Sequence, residues 1–143
     1  CTVCGYTPFD GAEYDYYTTT KGILEKVKTH AGDVDFEVQP ELLSLFSNRD
    51  FRRYAGEKGE MNVCFISNND ITGGNSGSAM FNARGELLGL AFDGNWEAMS
   101  SDILYEPKMQ RCIGVDVRYI LFMIEKYGKA GDLIRELKIV SGK

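Results

Sequence analysis

A mainly β fold with short helices on its flanks is what this sequence predicts, and three observations carry that expectation. Between Met61 and Val115 the apolar residues fall into short runs, 63–66, 78–81, 86–92 and 111–115, separated by Gly, Asn and Ser, which is the punctuation of strands joined by turns. On either side of this block the apolar spacing is helical, with Leu42, Leu43, Leu45 and Phe46 before it and Val117, Ile120, Leu121 and Ile124 after it. A length of 143 residues with 43% hydrophobic content suffices for one ordinary domain with its own core. The expected organisation is a single domain over 1–143, with an arm and helices over 1–60, strands over 61–115 and C-terminal helices over 116–143.

Taken in order, residues 1–13 have little periodicity and read as a leading arm around Gly5, Pro8 and Gly11. Tyr14, Tyr16, Tyr17 and Thr18 to Thr20 favour a strand, because aromatic and β-branched side chains suit a pleated surface. Ile23, Leu24 and Val27 give a short helix that Gly32 caps. Phe36 and Val38 read as extended, and Pro40 opens a second helix, where a missing amide costs nothing. Phe51 to Tyr54 continue as a further helical turn until Gly56 and Gly59 break it. Val63 to Ile66 form a buried strand. Asn82-Ala83-Arg84-Gly85 has the composition of a hairpin turn joining the next two strands. Asp93-Gly94-Asn95-Trp96 then leaves the sheet, Asp116 caps the helix over Val117 to Ile124, and Asp132 to Leu137 form a last short helix.

The 16 Lys+Arg against 21 Asp+Glu leave a formal charge of −5 with the basic residues scattered, which predicts neither a nucleic-acid nor an anionic-membrane partner. No apolar run is long enough to span a bilayer as a helix. The chain begins at Cys1 with neither start Met nor signal pattern and is read as a piece of something longer. Four cysteines, Cys1, Cys4, Cys64 and Cys112, make no ligand set, so no metal and no cofactor are expected. Cys64 and Cys112 lie in strand-like surroundings, either as free thiols or bonded to each other.

Chemistry concentrates in Thr72-Gly73-Gly74-Asn75-Ser76-Gly77-Ser78. A serine between glycines, reached from one strand and leading into another, suits a nucleophile whose backbone approaches a substrate carbonyl, and Ser76 is that candidate. The amides of Gly74 and Ser76 can then converge on one oxygen as an oxyanion hole. The hairpin that follows holds Ser76 at the start of one strand and Asp93-Gly94 at the end of the next, at one edge of the same site. His30, the only histidine, sits in the last turn of a helix, where the carbonyl-rich end explains it, and it is not assigned as a general base.

The order of strand, Gly74-Asn75-Ser76-Gly77, strand, turn, strand, loop, strand and C-terminal helix resembles the second β-barrel of chymotrypsin-like serine peptidases. Tyr16-Tyr17-Thr18-Thr19, Ile71 to Ser78, Leu90 to Glu97 and Val115 to Phe122 resemble, more specifically, the C-terminal portion of bacterial dipeptidyl peptidases 7 and 11, and the similarity runs through nearly the whole chain. The resemblance implies a C-terminal barrel of a double-barrel serine exopeptidase that removes dipeptides from free N-termini. The catalytic His and Asp would lie in an N-terminal barrel outside this chain, which alone would be inactive. It further implies a periplasmic or otherwise extracytoplasmic location, peptide substrates and the N-terminal barrel as partners, and allows a homodimer of the parent enzyme.

Carried over by position, Ser76 attacks the carbonyl, Gly74 and Ser76 supply the oxyanion amides, and Asp93 holds the substrate's α-ammonium by charge-assisted hydrogen bonds. Gly94 stands where relatives that select acidic residues carry Arg, so an apolar residue before the scissile bond is expected, as in the dipeptidyl peptidase 7 type. Asp70 raises an alternative, a pocket-floor acid selecting basic residues. A non-catalytic peptide-binding or structural module on the same fold is the rival from another class. Asn75 replaces the Asp that pairs with a freed N-terminus in trypsin-like zymogens, so that activation is not expected, and Ala79 stands where Pro often follows.

Overall fold

The computed structural model of the chain describes residues 1–8, 11–56, 58–101 and 103–140. It divides into two compact units, one of 1–18 with 63–117 and one of 19–62 with 118–143.

The first unit is built on a five-stranded sheet of β1 (Tyr17–Thr19), β2 (Asn62–Ser67), β3 (Ala79–Phe81), β4 (Leu87–Gly94) and β5 (Cys112–Asp116), in the order β1-β2-β5-β4-β3. β2–β5, β5–β4 and β4–β3 are antiparallel. Among the described residues this sheet is open, with β1 and β3 at its edges, and not the closed barrel that the resemblance implies. Central β5 alternates buried and half-buried residues, as a strand between two partners should. The Phe65 ring fills a notch made by two glycines. A Cβ on Gly114 would lie 2.8 Å from Phe65 Cζ, and one on Gly89 would lie 2.8 Å from Phe65 Cε1.

β4 runs two residues further than its composition suggests. The register passes from Ala91↔Gly114 to Asp93↔Ile113, so Phe92 is the extra residue of a bulge, and Asp93 and Gly94 remain paired, with Ile113 and Cys112. Turn-forming residues predict an exit at Asp93; the bulge absorbs the irregularity and the ladder resumes. All four cysteines are free. Cys112 pairs with Ser67, three residues from Cys64 on β2, so the two thiols project from opposite faces of the sheet and cannot bond. Burial pushes both thiols above their ordinary range.

The second unit is helical, with α1 (Thr20–Thr29), α2 (Pro40–Asn48), α3 (Val117–Phe122), a π-helical turn over Met123–Tyr127, and α4 (Gly131–Glu136). Pro40 occupies the first turn of α2, as expected, and Arg49 ends it in the left-handed region at φ 55°. Phe36, expected extended, instead ends a 3-10 turn over Val34–Phe36, which the Asp33 carboxylate closes by accepting the Asp35 amide at 3.1 Å. Phe46, Phe51, Tyr54, Met61 and Phe122 form the core. The Phe122 ring centroid lies 5.8 Å from Phe51, 6.0 Å from Tyr54 and 6.3 Å from Phe46. Tyr54 Oη and Arg53 Nη2 both donate to the Glu125 carboxylate in the π-turn.

Candidate active site

The heptapeptide around Ser76 folds as two consecutive turns. The Asn75 amide donates to Thr72 O at 3.2 Å, and the Ser78 amide donates to Asn75 O at 3.0 Å. Asn75 Oδ1 accepts the Thr72 amide at 3.0 Å, so this side chain ties its own loop. Gly74 at φ +92° and Gly77 at φ +87° take the left-handed conformations that turn the chain. The Gly77 amide then joins the sheet at Ala91 O, 2.8 Å away, and the Ala91 amide returns to Ser78 O at 2.8 Å. Ser76 is thereby clamped between a tight turn and the start of the β3–β4 ladder.

Hydrogen bonding separates the amides of this loop into two sets. Those of Thr72, Asn75, Gly77 and Ser78 are bonded, whereas among the described residues those of Gly73, Gly74 and Ser76 donate to no protein acceptor. Donors left free in an otherwise tied loop are what an oxyanion site requires. The Ser76 hydroxyl donates to the Phe92 carbonyl at 3.0 Å, a contact that the Phe92 bulge makes available.

Gly74, Ser76, Asp93 and Gly94 line one cleft of about 270 Å³, and Ile71, Ala98 and Met99 supply its apolar wall. The four residues singled out in the sequence thus share one depression, reached from two separate strands. Asp93 is exposed, and its Oδ1 accepts the Gly94 amide at 2.8 Å. Asp70 is exposed and is not among the lining residues; its neighbour Ile71 is. A pocket-floor role for Asp70 is therefore set aside. His30 is engaged within its own unit: its ring stacks on Phe36 at 4.2 Å, and Nδ1 lies 3.2 Å from Lys26 O and 2.9 Å from Thr29 Oγ1.

Sequence reasoning missed the frame behind the cleft. Asn95 donates its backbone amide to Arg111 O at 2.9 Å and accepts the Arg111 amide on Oδ1 at 2.8 Å. Its Nδ2 donates to Glu97 Oε2 and to Met109 O, each at 2.8 Å. Arg111, buried, donates through its guanidinium to the carbonyls of Gly5, Pro107, Lys108 and Gln110 and lies 5.7 Å from the Tyr6 ring. Tyr6 Oη donates to Glu97, and burial pushes its pKa above the ordinary tyrosine value. An Asn following Asp-Gly reads only as turn chemistry in the sequence, and the partners that make it a keystone lie far along the chain.

The peptidase S46 family matches residues 1–139 of this sequence. The chain belongs to the peptidase S46 family. It is 56% identical over 141 residues to dipeptidyl-peptidase 7 of Porphyromonas endodontalis, a match covering 99% of this chain and 17% of that protein. It is 46% identical over 138 residues to an Asp/Glu-specific dipeptidyl-peptidase of Capnocytophaga gingivalis, covering 96% of this chain and 19% of the relative. Among solved S46 structures, the crystal structure of Porphyromonas endodontalis DPP11 in complex with the dipeptide Arg-Glu superposes with a TM-score of 0.88 at 42% identity, over 94% of this chain and 19% of that one. The chain therefore spans about a fifth of the length of the S46 relatives it matches.

Proposed function

We propose that this chain is the nucleophile-bearing part of a serine dipeptidyl peptidase that releases dipeptides from free N-termini and prefers an apolar residue before the scissile bond. One observation carries the reading: the Ser76 hydroxyl, unpaired loop amides that include those of Gly74 and Ser76, and Asp93 line a single cleft. Relatives named dipeptidyl-peptidase 7 and Asp/Glu-specific dipeptidyl-peptidase support the exopeptidase class. The identities support the former type, at 55% for the Porphyromonas gingivalis dipeptidyl-peptidase 7 against 44% for its Asp/Glu-specific counterpart.

In this mechanism Ser76 Oγ attacks the carbonyl carbon, its proton passes to a base supplied by the rest of the polypeptide, and the Gly74 and Ser76 amides hold the oxyanion. The C–N bond breaks as the base returns the proton to the leaving amine, and water then hydrolyses the acyl-enzyme. Asp93 fixes the register by binding the substrate's ammonium, so the cut falls after the second residue. Gly94, Ile71 and Ala98 leave room for an apolar side chain with no charge to pair with a carboxylate or an ammonium there.

The test compares cleavage of dipeptidyl fluorogenic substrates by this chain and by a polypeptide of the relatives' full length that contains it. Turnover confined to the long form, to free-amine substrates and to apolar second residues supports the reading. Equal turnover of acetylated substrates removes Asp93 as the anchor, and silence of the long form favours a non-catalytic module.

A further inference from the structure

We propose that Ala98 is a specificity-determining residue that works as a pair with Gly94, an inference that rests on the exopeptidase reading above. The backbone of Gly94 lies outside the left-handed region, so conformation does not require glycine there. Space does. A Cβ at position 94 would lie 2.9 Å from Ala98 Cβ, closer than such carbons approach in folded proteins, with Ile71 Cγ2 3.7 Å away and Arg111 O 3.9 Å away. The Ala98 methyl and Ile71 thus form the wall facing Gly94, and both line the cleft that contains Ser76. A side chain is admitted at position 94 only if residue 98 gives up its methyl or the turn that carries it moves aside.

That turn, Trp96–Ser100, is poorly placed to move. Asn95 anchors its start through the four bonds to Arg111, Glu97 and Met109 described above, and Asn95 O accepts the Ala98 amide at 2.9 Å. Arg111, only 6% exposed, binds four carbonyls behind it. Ala98 is therefore held against position 94 by a tied loop, and the bulk of residue 98 sets the bulk of the apolar side chain that the substrate places before the scissile bond.

The test measures kcat/KM of the full-length polypeptide for free-amine dipeptidyl substrates with Ala, Val, Leu or Phe as second residue. Ala98→Leu is expected to lower turnover of the Leu and Phe substrates by about 10- to 100-fold relative to the Ala substrate, the range typical of filling an apolar pocket. Gly94→Ala should lower the same substrates about 10-fold, and Gly94→Ala combined with Ala98→Gly should recover to within about threefold of wild type. Ala98→Gly alone, which only removes atoms and keeps the question answerable if Ala98→Leu does not fold, should raise the Phe-to-Ala ratio by about 3- to 10-fold. An unchanged ratio in Ala98→Gly, or losses in the double variant that simply add, would overturn the pairing while leaving the exopeptidase reading in place. Absence of turnover by the wild-type long form for every free-amine substrate overturns both.

Discussion

The helical unit and the cleft end of the sheet unit treat their apolar side chains in opposite ways. In the helical unit Phe46, Phe51, Tyr54, Met61 and Phe122 are each 2% exposed or less, with the Phe122 ring in contact with three other aromatic rings. At the cleft, the lining residue Met99 is 74% exposed and Phe92 55%, and Ser76 and Asp93 are exposed as well. Burying apolar surface is what stabilises a fold, so the first set explains why the helices hold together. Contiguous exposed apolar side chains, by contrast, mark surfaces that contact something else. The contrast is one of burial: the aromatic rings of the helical unit close on one another, whereas apolar side chains at the cleft are left open beside polar groups.

The sharpest way to break this contrast is to separate chemistry from stability at one atom. Ser76→Ala in the full-length polypeptide should lower kcat on the order of 10⁶-fold, as loss of a serine nucleophile does, while the thermal midpoint stays within about a degree, since Ser76 is exposed and donates one hydrogen bond. Burst kinetics and thermal denaturation check the two halves, and retained acylation would remove Ser76 from its role. The reverse experiment is Phe122→Ala. Its side chain is 0% exposed, so its removal should cost about 3–5 kcal/mol of unfolding free energy. Denaturant unfolding reads that loss; a change below about 1 kcal/mol would show that this cluster does not carry the helical unit.

A subtler perturbation acts on backbone alone. Gly74 sits at φ +92° with open space around its Cβ position, so Gly74→Ala meets no clash and acts through conformation. If it turns the residue 74 amide away from the oxyanion, kcat should fall by about 100- to 1,000-fold with KM little changed. A rise in KM with kcat unchanged would place this glycine in binding instead. The smallest effect belongs to the ion pair of the helical unit. The hydrogen bond from Tyr54, followed by that from Arg53, holds the Glu125 carboxylate below its ordinary value of 4.5. A carboxylate depressed in the folded state stabilises above the unfolded pKa, so this contribution is complete above about pH 5 and is lost as pH falls through the folded pKa. With Arg53 half exposed the pair is screened, and Glu125→Gln should lower the thermal midpoint by only a few degrees at pH 7. That difference should vanish in acid; a constant offset across pH would mean that packing, and not charge, explains it.

Much of this molecule is legible from its residues. The helix opened by Pro40, the hairpin turn at Asn82 to Gly85 and the strand over Val63 to Ile66 follow from local rules that act within a few positions. The heptapeptide around Ser76 is legible for the same reason, because glycines at left-handed positions and an Asn that bonds its own loop are local devices. Where local composition misled, the correction came from a bond or a register. Val34–Phe36 is curled by the Asp33 carboxylate, and β4 continues through Gly94 because a bulge at Phe92 lets Asp93 and Gly94 pair with β5.

The sequence by itself determined the glycine-serine loop around Ser76 and the strands that flank it, since these depend on φ preferences and side-chain alternation along one stretch of chain. Only the tertiary structure decided that Asp70 stays out of the cleft, that Ala98 crowds Gly94, and that Asn95 and Arg111 tie the turn behind it. Those facts depend on distances between segments far apart in the chain, which packing and strand register set and which no local preference encodes.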